Sequence, residues 1–179
     1  MTTLVAEDGT VVDNANSYVS LAEANNYIAD MPAPALTTWN ALVDDTERES
    51  LLIYATRVLD QRAKWNGTKY DAASPLRWPR SNVLDCDGLP VAHDIVHPNV
   101  KAAVCEMALW FSVPGQNPFS ISDNQGIQEF AVDVIRVVYK MDHDATSNLM
   151  LPRGLNQILC GLGSIQYGSR SSFGAISKA

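Results

Sequence analysis

Apolar residues recur at helical spacing in two long stretches of the chain. In the first, a capping box at residues 46–49 precedes a one-sided apolar stripe, which consists of Leu51, Leu52, Ala55, Val58 and Leu59. In the second, Pro98 occupies the position of a first-turn proline. The stripe that follows it consists of Val100, Ala103, Val104, Met107, Trp110 and Phe111. Each stretch predicts a helix, and the second helix ends before Pro114.

Three shorter segments also carry helix or turn patterns. A capping box at residues 20–23 predicts a helix through about Ile28, which a stretch with two prolines then ends. Thr38 is suited to cap a short turn after those prolines. Residues 149–162 predict a final helix that begins near Pro152.

The remaining sequence predicts extended arms and loops. Residues 1–19 alternate loosely around an Asp-Gly turn, and residues 64–97 contain several turn dipeptides. Residues 127–139 are rich in Val and Ile and alternate in polarity, as a long strand or a hairpin arm does. The Gly- and Ser-rich residues 163–179 cannot bury a core alone, so we expect a tail that orders on a partner.

These elements predict a mainly α fold. It consists of a small helical bundle core with a long loop, an extended β-strand or hairpin arm, and extended N- and C-terminal arms. The expected division is an N-terminal arm (1–19), a helical core that includes the loop 64–97 (20–113), a linker and β arm (114–148), a C-terminal helix (149–162) and an extended tail (163–179).

The charge balance limits the function classes. The 179 residues include 13 basic and 20 acidic side chains, which gives a net charge of −7. Affinity for nucleic acid comes mainly from clustered Lys and Arg, so this balance argues against a protein whose main task is to neutralise phosphates. It leaves room for a local basic patch.

The sequence LRWPRS at residues 76–81 is such a patch. Arg77 and Arg80 flank Trp78, and Pro79 fixes the backbone beside it. Cations around an indole can stack and neutralise single-stranded nucleic acid. A folded loop that buries a Trp and covers it with arginine stems has the same composition. The composition of this patch leaves both roles open.

The chain offers no clear catalytic or metal site. Cys86, Cys105 and Cys160 lack a CxxC pair, so we expect no disulfide framework and a reducing compartment. His93 and His97 could join Cys86 and Cys105 as metal ligands, but the proline after His97 keeps the two histidines off one helical face. We therefore expect a helix-start residue and small core cysteines there, with no metal and no cofactor.

Other catalytic patterns are also missing from the sequence. It has neither a glycine-rich phosphate loop nor a Gly-x-Ser-x-Gly elbow, and its paired aspartates fall at a helix start and in a turn. We expect a protein that is not an enzyme. The acidic N-terminus does not resemble a signal peptide, and no apolar run approaches the roughly 20 residues of a membrane span.

Four stretches together resemble a tailed-phage protein family. They are ANSYVSLAEANNYI (15–28), LLIYATRVLDQRAKWNGTKYD (51–71), LRWPRS (76–81) and the P-x-VKAAVCEMAL run (98–109). The family is the head-to-tail adaptor, or connector, proteins, which genomes often label as DnaT-like single-stranded DNA-binding proteins. The resemblance is detailed over about the first 110 residues, fits the later strand and the 149–162 helix in outline, and does not cover the tail.

The resemblance implies a structural role in the virion neck. It implies a homo-oligomeric, dodecameric ring beneath the portal protein, with a downstream neck or tail protein on its lower face. DNA would pass through the lumen without sequence-specific binding, and no membrane, cofactor or catalysis is implied. The protein would be made in the bacterial host cytoplasm. The resemblance also makes the LRWPRS loop structural, with Trp78 packed onto the helices and Arg77 and Arg80 paired with acidic neighbours within or between subunits. On this basis we expect the tail to dock onto a partner through Ile165, Tyr167, Arg170 and Phe173, and removal of residues 162–179 to leave the fold intact.

Two alternatives remain open. One is a single-stranded DNA-binding module centred on the loop residues Arg77, Trp78 and Arg80, assisted by Lys64, Trp65 and Lys69. The other is a metal-dependent enzyme that uses His93, His97 and the cysteines.

Overall fold

The computed structural model describes residues 3–113, 129–132, 135–138, 151–152 and 154–166. Helices provide most of the regular structure, so the chain is mainly α as the sequence predicts. The helices are α1 (Leu21–Ala29), α2 (Ala33–Asn40), α3 (Asp45–Arg62), α4 (Pro98–Ser112) and α5 (Leu155–Ile158). The strands are β1 (Ala63–Trp65), β2 (Thr68–Lys69), β3 (Arg80–Ser81), β4 (Glu129–Val132), β5 (Ile135–Val138) and β6 (Gly163–Ile165).

The predicted starts of α1 and α4 are confirmed. At α1 the backbone N–H of Ser20 donates to Glu23 Oε2 at 2.9 Å, and the N–H of Glu23 donates to Ser20 Oγ at 3.3 Å. This reciprocal pair is the capping box that the sequence predicts. At α4, Pro98 is the first helical residue, and His97 Nδ1 accepts the N–H of Asn99 at 3.1 Å. His97 is therefore a helix-start residue, as expected.

The predicted starts of α2 and α3 are wrong. Helix α1 ends at Ala29, before the two prolines, as expected. The sequence predicted only a short turn after them, but α2 begins directly after Pro32 and contains Pro34 in its first turn, where a missing N–H costs nothing. Thr38 does not cap it, since its hydroxyl donates to Pro34 O at 3.0 Å. For α3 the N-cap is Asp44, whose carboxylate accepts the N–H of Glu47 at 2.8 Å, and not Thr46.

The core lies between α3 and α4, and α1 contacts both of them. Each of the two long helices buries the apolar face that its sequence pattern predicts. The buried apolar residues are Leu52, Ala55, Val58 and Leu59 from α3 and Val100, Ala103, Val104, Cys105, Met107 and Ala108 from α4. Cys105 is thus the small core residue that the sequence predicts.

The C-terminal part of the described chain completes this core. Strand β6 pairs antiparallel with β1, with Ala63 opposite Ile165 and Trp65 opposite Gly163. Its segment contributes five buried apolar side chains, which are Leu151, Leu155, Leu159, Leu162 and Ile165. The helix expected over 149–162 is shorter than predicted in the described residues, where it consists of α5 (Leu155–Ile158). The assignment of Ile165 to an extended docking arm was wrong, because its side chain is buried in the core. The other expected docking residues, Tyr167, Arg170 and Phe173, lie outside the described residues.

Strands β4 and β5 form the hairpin that the alternating sequence at 127–139 allowed as one interpretation. They pair antiparallel with Glu129 opposite Val138 and Val132 opposite Ile135.

A disulfide corrects the expectation that the cysteines are unpaired. Cys86 and Cys160 are bonded, with their Cα atoms 5.2 Å apart, although 74 positions separate them in sequence. Gly161 makes this approach possible. At its φ of 75°, an added Cβ would lie 2.4 Å from the carbonyl carbon of Asp85. The pairing was not evident in the sequence because it depends on how distant segments pack.

Candidate nucleic-acid interface

The loop between α3 and α4 folds back on itself as a short ladder. Lys69 of β2 pairs with Arg80 of β3, and the N–H of Tyr70 donates to Pro79 O at 3.1 Å. The Trp78–Pro79 peptide bond is cis. This ladder brings Tyr70 and its preceding lysine beside the segment that we call the arginine loop, residues 76–81.

The indole of the arginine loop is not available to a nucleic-acid base. Trp78 is 0% exposed and Trp65 is 8% exposed. The two rings meet edge to face, with centroids 5.8 Å apart and an interplanar angle of 80°. Trp78 therefore packs inside the fold, and neither tryptophan offers a face to a base.

A buried polar network holds the backbone of the arginine loop. The hydroxyl of Tyr18 donates to Asp60 Oδ1 at 2.7 Å and accepts the N–H of Arg77 at 3.0 Å and of Trp78 at 3.1 Å. The N–H of Arg77 also donates to Asp60 Oδ2 at 3.1 Å, and Trp65 Nε1 donates to Asp60 Oδ1 at 3.3 Å. These donors and acceptors satisfy groups that would otherwise be buried without a partner.

Burial sets the protonation states in this network. It raises the pKa of Asp60 despite the hydrogen bonds that favour the charged form. It also raises the pKa of Tyr18 well above 10.0, and the charge of Asp60 raises it further. Tyr18 therefore stays protonated at neutral pH and keeps its role as a donor to Asp60.

The side chain of Arg80 stabilises the loop by hydrogen bonds to neutral acceptors. Its Nε donates to Asn66 O at 2.7 Å, and its two terminal nitrogens donate to Arg77 O at 3.1 Å and Gly67 O at 2.8 Å. Burial lowers the pKa of Arg80, and the neighbouring charge of Arg77 acts in the same direction. Among the described residues Arg80 therefore hydrogen-bonds to carbonyls and forms no ion pair with an acidic neighbour, while the expected pairing between subunits stays a prediction.

The exposed residues of the segment from Lys64 to Arg77 include three cations, one aromatic ring and the carboxylate of Asp71. Arg77, Lys64 and Lys69 are exposed, although Lys69 Nζ also donates to Ser74 O. Tyr70 is 47% exposed and stacks against His93, with ring centroids 4.6 Å apart. Our sequence reasoning overlooked Tyr70, and its position next to Lys69, just after the Asn-Gly turn, could have indicated it.

The structure does not assemble the expected alternative metal set. His93 stacks on Tyr70, His97 caps α4 and Cys86 is in the disulfide. Cys105 is buried, and burial raises the pKa of its thiol to about 12. Across the described part of the chain, no cluster of three or more His, Cys, Asp or Glu side chains could hold a metal ion.

A concave feature apart from the arginine loop lies between α1 and α4. It is an open cavity of about 370 Å³ with a mostly apolar wall that includes Tyr27, Val96 and Cys105. Lys101 Nζ and Glu23 Oε1 form an ion pair of 2.6 Å at this cavity.

None of the helices in the described ranges is both long and apolar enough to span a membrane.

The comparisons with known proteins agree with part of the sequence-based resemblance. No curated protein and no solved structure matches the chain. The model of a family described as "Putative DnaT-like ssDNA binding protein" matches residues 2–174, which is nearly the full length. The chain therefore belongs to this DnaT-like family.

Proposed function

We propose that this protein is a structural head-to-tail adaptor of a tailed-phage virion, where it forms a ring under the portal protein around the DNA channel. The observation that carries the proposal is the burial of Trp78. The aromatic ring of the motif whose composition is typical of single-stranded DNA binding is folded into the core, and the backbone of the motif is held by Tyr18 and Asp60. A net charge of −7 also disfavours a main role in phosphate binding.

The resemblance to adaptor proteins supports the proposal from a second direction. The stretches that carry it supply α1, most of α3, the arginine loop and most of α4. Three of these are the helices that build the core, so the resemblance concerns the architecture of the fold. In this role the ring binds the portal above and a neck or tail protein below, and the genome passes through its lumen.

Single-stranded DNA binding is the second candidate, and the family description favours it more directly than it favours the adaptor. The local observation in its support is the group of exposed cations beside Tyr70. Arg77 is exposed, and the guanidinium of Arg80 donates its hydrogen bonds to neutral carbonyls. In this candidate the cations contact phosphates and Tyr70 stacks on a base, while Trp78 stays buried.

One experiment distinguishes the two candidates. Native mass spectrometry of the purified chain, alone and mixed with the portal protein encoded in the same genome, reports ring formation and portal binding. A fluorescence titration with a labelled oligo-dT strand at about 50 and 200 mM salt reports DNA affinity and its salt dependence. For the adaptor we expect a complex with the portal and no saturable DNA binding.

The opposite result would support single-stranded DNA binding as the function. Tight, salt-sensitive oligo-dT binding without portal association would overturn the adaptor proposal. That binding should then weaken in Tyr70→Ala and Arg77→Ala. Arg48→Ala is a matched control, because Arg48 is committed to an ion pair with Asp45 at 2.7 Å.

A further inference from the structure

The open cavity between α1 and α4 has an apolar floor. Its volume of about 370 Å³ lies in the range of pockets that bury a bound group. Val19, Val96 and Cys105 line it and are 1%, 4% and 1% exposed, so its floor consists of core side chains. An occupant of this cavity would therefore place an apolar group on the floor.

The electrostatic balance beside the cavity is negative. Lys101 pairs with Glu23 at 2.6 Å, and the hydroxyl of Tyr27, which lines the cavity, donates to Glu106 Oε1 at 3.1 Å. Burial raises the pKa of the Cys105 thiol to about 12. The charges of both carboxylates act on this pKa in the same direction, and the ammonium of Lys101 acts against them.

Two carboxylates near the cavity have no ion-pair partner among the described residues. Glu106 and Asp8 take part in neither of the two ion pairs found there. Hydrogen bonds from Thr10 lower the pKa of Asp8, and the charge of Lys101 acts in the same direction, so Asp8 also interacts with the cavity ammonium. With Glu23, three carboxylates thus act near one ammonium. A cation in the occupant would complement this excess.

The chain itself contains a segment with both an apolar and a cationic group. Residues 167–179 carry two basic side chains, Arg170 and Lys178, and no acidic one, although the net charge of the whole chain is −7. Phe173 follows Arg170 after two serines. An aromatic ring suits the apolar floor, and a guanidinium suits a carboxylate that has no cation of its own.

This segment starts within reach of the cavity. An added Cβ at Gly161 would lie 2.4 Å from the carbonyl carbon of Asp85. Burial lowers the pKa of His97 and the charge of Asp85 acts against this shift, so Asp85 lies near the start of α4. Pro98, the next residue, lines the cavity. Residues 167–179 span up to about 45 Å when extended, which exceeds the roughly 30 Å diameter of a small domain.

We propose that residues 167–179 dock into the α1–α4 cavity of their own chain, with Phe173 on the apolar floor and Arg170 beside Glu106. A tethered segment acts at an effective concentration on the order of 1 mM, so a Kd of about 0.3 mM gives a docked-to-free ratio of about three to one. A segment held in this way is not free for a partner, so a partner that binds it would compete with the cavity. This contact needs only the folded chain and does not depend on the adaptor role.

The thiol of Cys105 reports whether the cavity is occupied, because it is a free cysteine on the floor. Methyl methanethiosulfonate at about pH 8 should label the full chain about fourfold faster in Arg170→Glu/Phe173→Ser than in wild type, a difference of only about 0.8 kcal/mol. Lys178→Glu/Ile176→Ser is the matched control, because it changes charge and polarity equally at other positions of the segment. We expect the control to label like wild type, and circular dichroism should show the same helix content in all three chains.

Charge exchange tests the pairing with Glu106. Glu106→Lys alone should speed the labelling, and its combination with Arg170→Glu in one chain should slow it again. The lost negative charge at position 106 lowers the pKa of Cys105 in both chains, so the single and combined variants are compared with each other.

Equal labelling of wild type and Arg170→Glu/Phe173→Ser would overturn the proposed contact. So would protection that fades when the wild type is diluted about a hundredfold, because protection within one chain does not depend on concentration. That second result would assign the segment to the cavity of another copy. None of these measurements involves the portal, so the contact and the adaptor role are tested separately.

Discussion

The hydroxyl of Tyr18 connects three parts of the chain at the scale of single atoms. It donates to Asp60 of α3 at 2.7 Å and accepts the N–H groups of Arg77 and Trp78 at 3.0 and 3.1 Å. The Tyr18 side chain is buried, so water cannot replace these partners. A single oxygen thus fixes where the arginine loop crosses the core.

Tyr18→Phe tests this role. The change leaves the N–H of Trp78 without its hydrogen-bond acceptor and removes a donor from a buried carboxylate, so we expect a loss of about 2–3 kcal/mol in the free energy of unfolding. Tyr27→Phe is the control, because the Tyr27 hydroxyl makes one part-buried hydrogen bond, to Glu106 at 3.1 Å. Urea unfolding of both variants measures the difference. Equal losses would show that the network contributes no more to stability than one part-buried hydrogen bond.

The loop residues also show how far sequence reasoning reaches at this scale. The composition of the arginine loop allowed a DNA platform or a buried indole, and the favoured alternative agrees with the burial of Trp78. The partners of Arg80 were not predictable, because its acceptors are backbone carbonyls of Asn66 and Gly67. Backbone acceptors carry no sequence pattern, whereas acidic side chains do.

At the scale of elements, local patterns predicted the helices better than the pairings between them. The 3.6-residue periodicity of α3 and α4 gave their buried faces, and the capping box gave the start of α1. Strand β6 was not predicted, because three residues carry too little periodicity and its partner β1 lies about a hundred positions away. The assignment of Ile165 to a free arm failed for this reason.

The Cys86–Cys160 disulfide connects two distant segments and can be tested by substitution. It closes a loop of 74 positions and joins the hairpin at residues 83–91 to the segment that carries β6. We expect Cys86→Ser/Cys160→Ser to lose about 2–4 kcal/mol of unfolding free energy, since the unfolded chain regains freedom. Urea unfolding with and without a reducing agent measures this loss. The wild type should fall to the level of the variant when reduced, while the variant should not respond.

This account would be contradicted if the reducing agent left the unfolding free energy of the wild-type protein unchanged. It would mean that the two thiols lie close together without forming a bond that matters for folding. Cys105 does not complicate the comparison, because its thiol is buried and its pKa of about 12 keeps it protonated and unreactive.

For the whole molecule, the decisive question is where the folded body ends. Leu162 is 0% exposed and Ile165 is 4% exposed, and the N–H of Gln166 still donates to Arg62 O at 2.8 Å. The described core therefore includes residues up to Gln166. The expectation that residues 162–179 could be removed without harm conflicts with this placement, because that cut deletes β6 and two core side chains.

Two truncations locate this boundary. A chain that ends after Gly161 loses both buried side chains and the pairing with β1, so we expect it to lose at least about 4 kcal/mol, a large part of the stability of an ordinary domain. A chain that ends after Gln166 keeps every described core residue, and we expect its thermal midpoint to match that of the full chain. Circular dichroism melts compare the two, and native mass spectrometry with the portal protein follows for the longer one.

The pair of truncations also separates folding from partner binding. If residues 167–179 dock onto a partner, the chain that ends after Gln166 should stay folded but no longer join the portal. If this shorter chain still binds the portal, Tyr167, Arg170 and Phe173 are not needed for the contact. The portal would then bind residues before position 167. A chain that ends after Gly161 and melts like the full protein would contradict the position of β6 in the core. In that case the original expectation of a free arm from residue 162 onward would be restored.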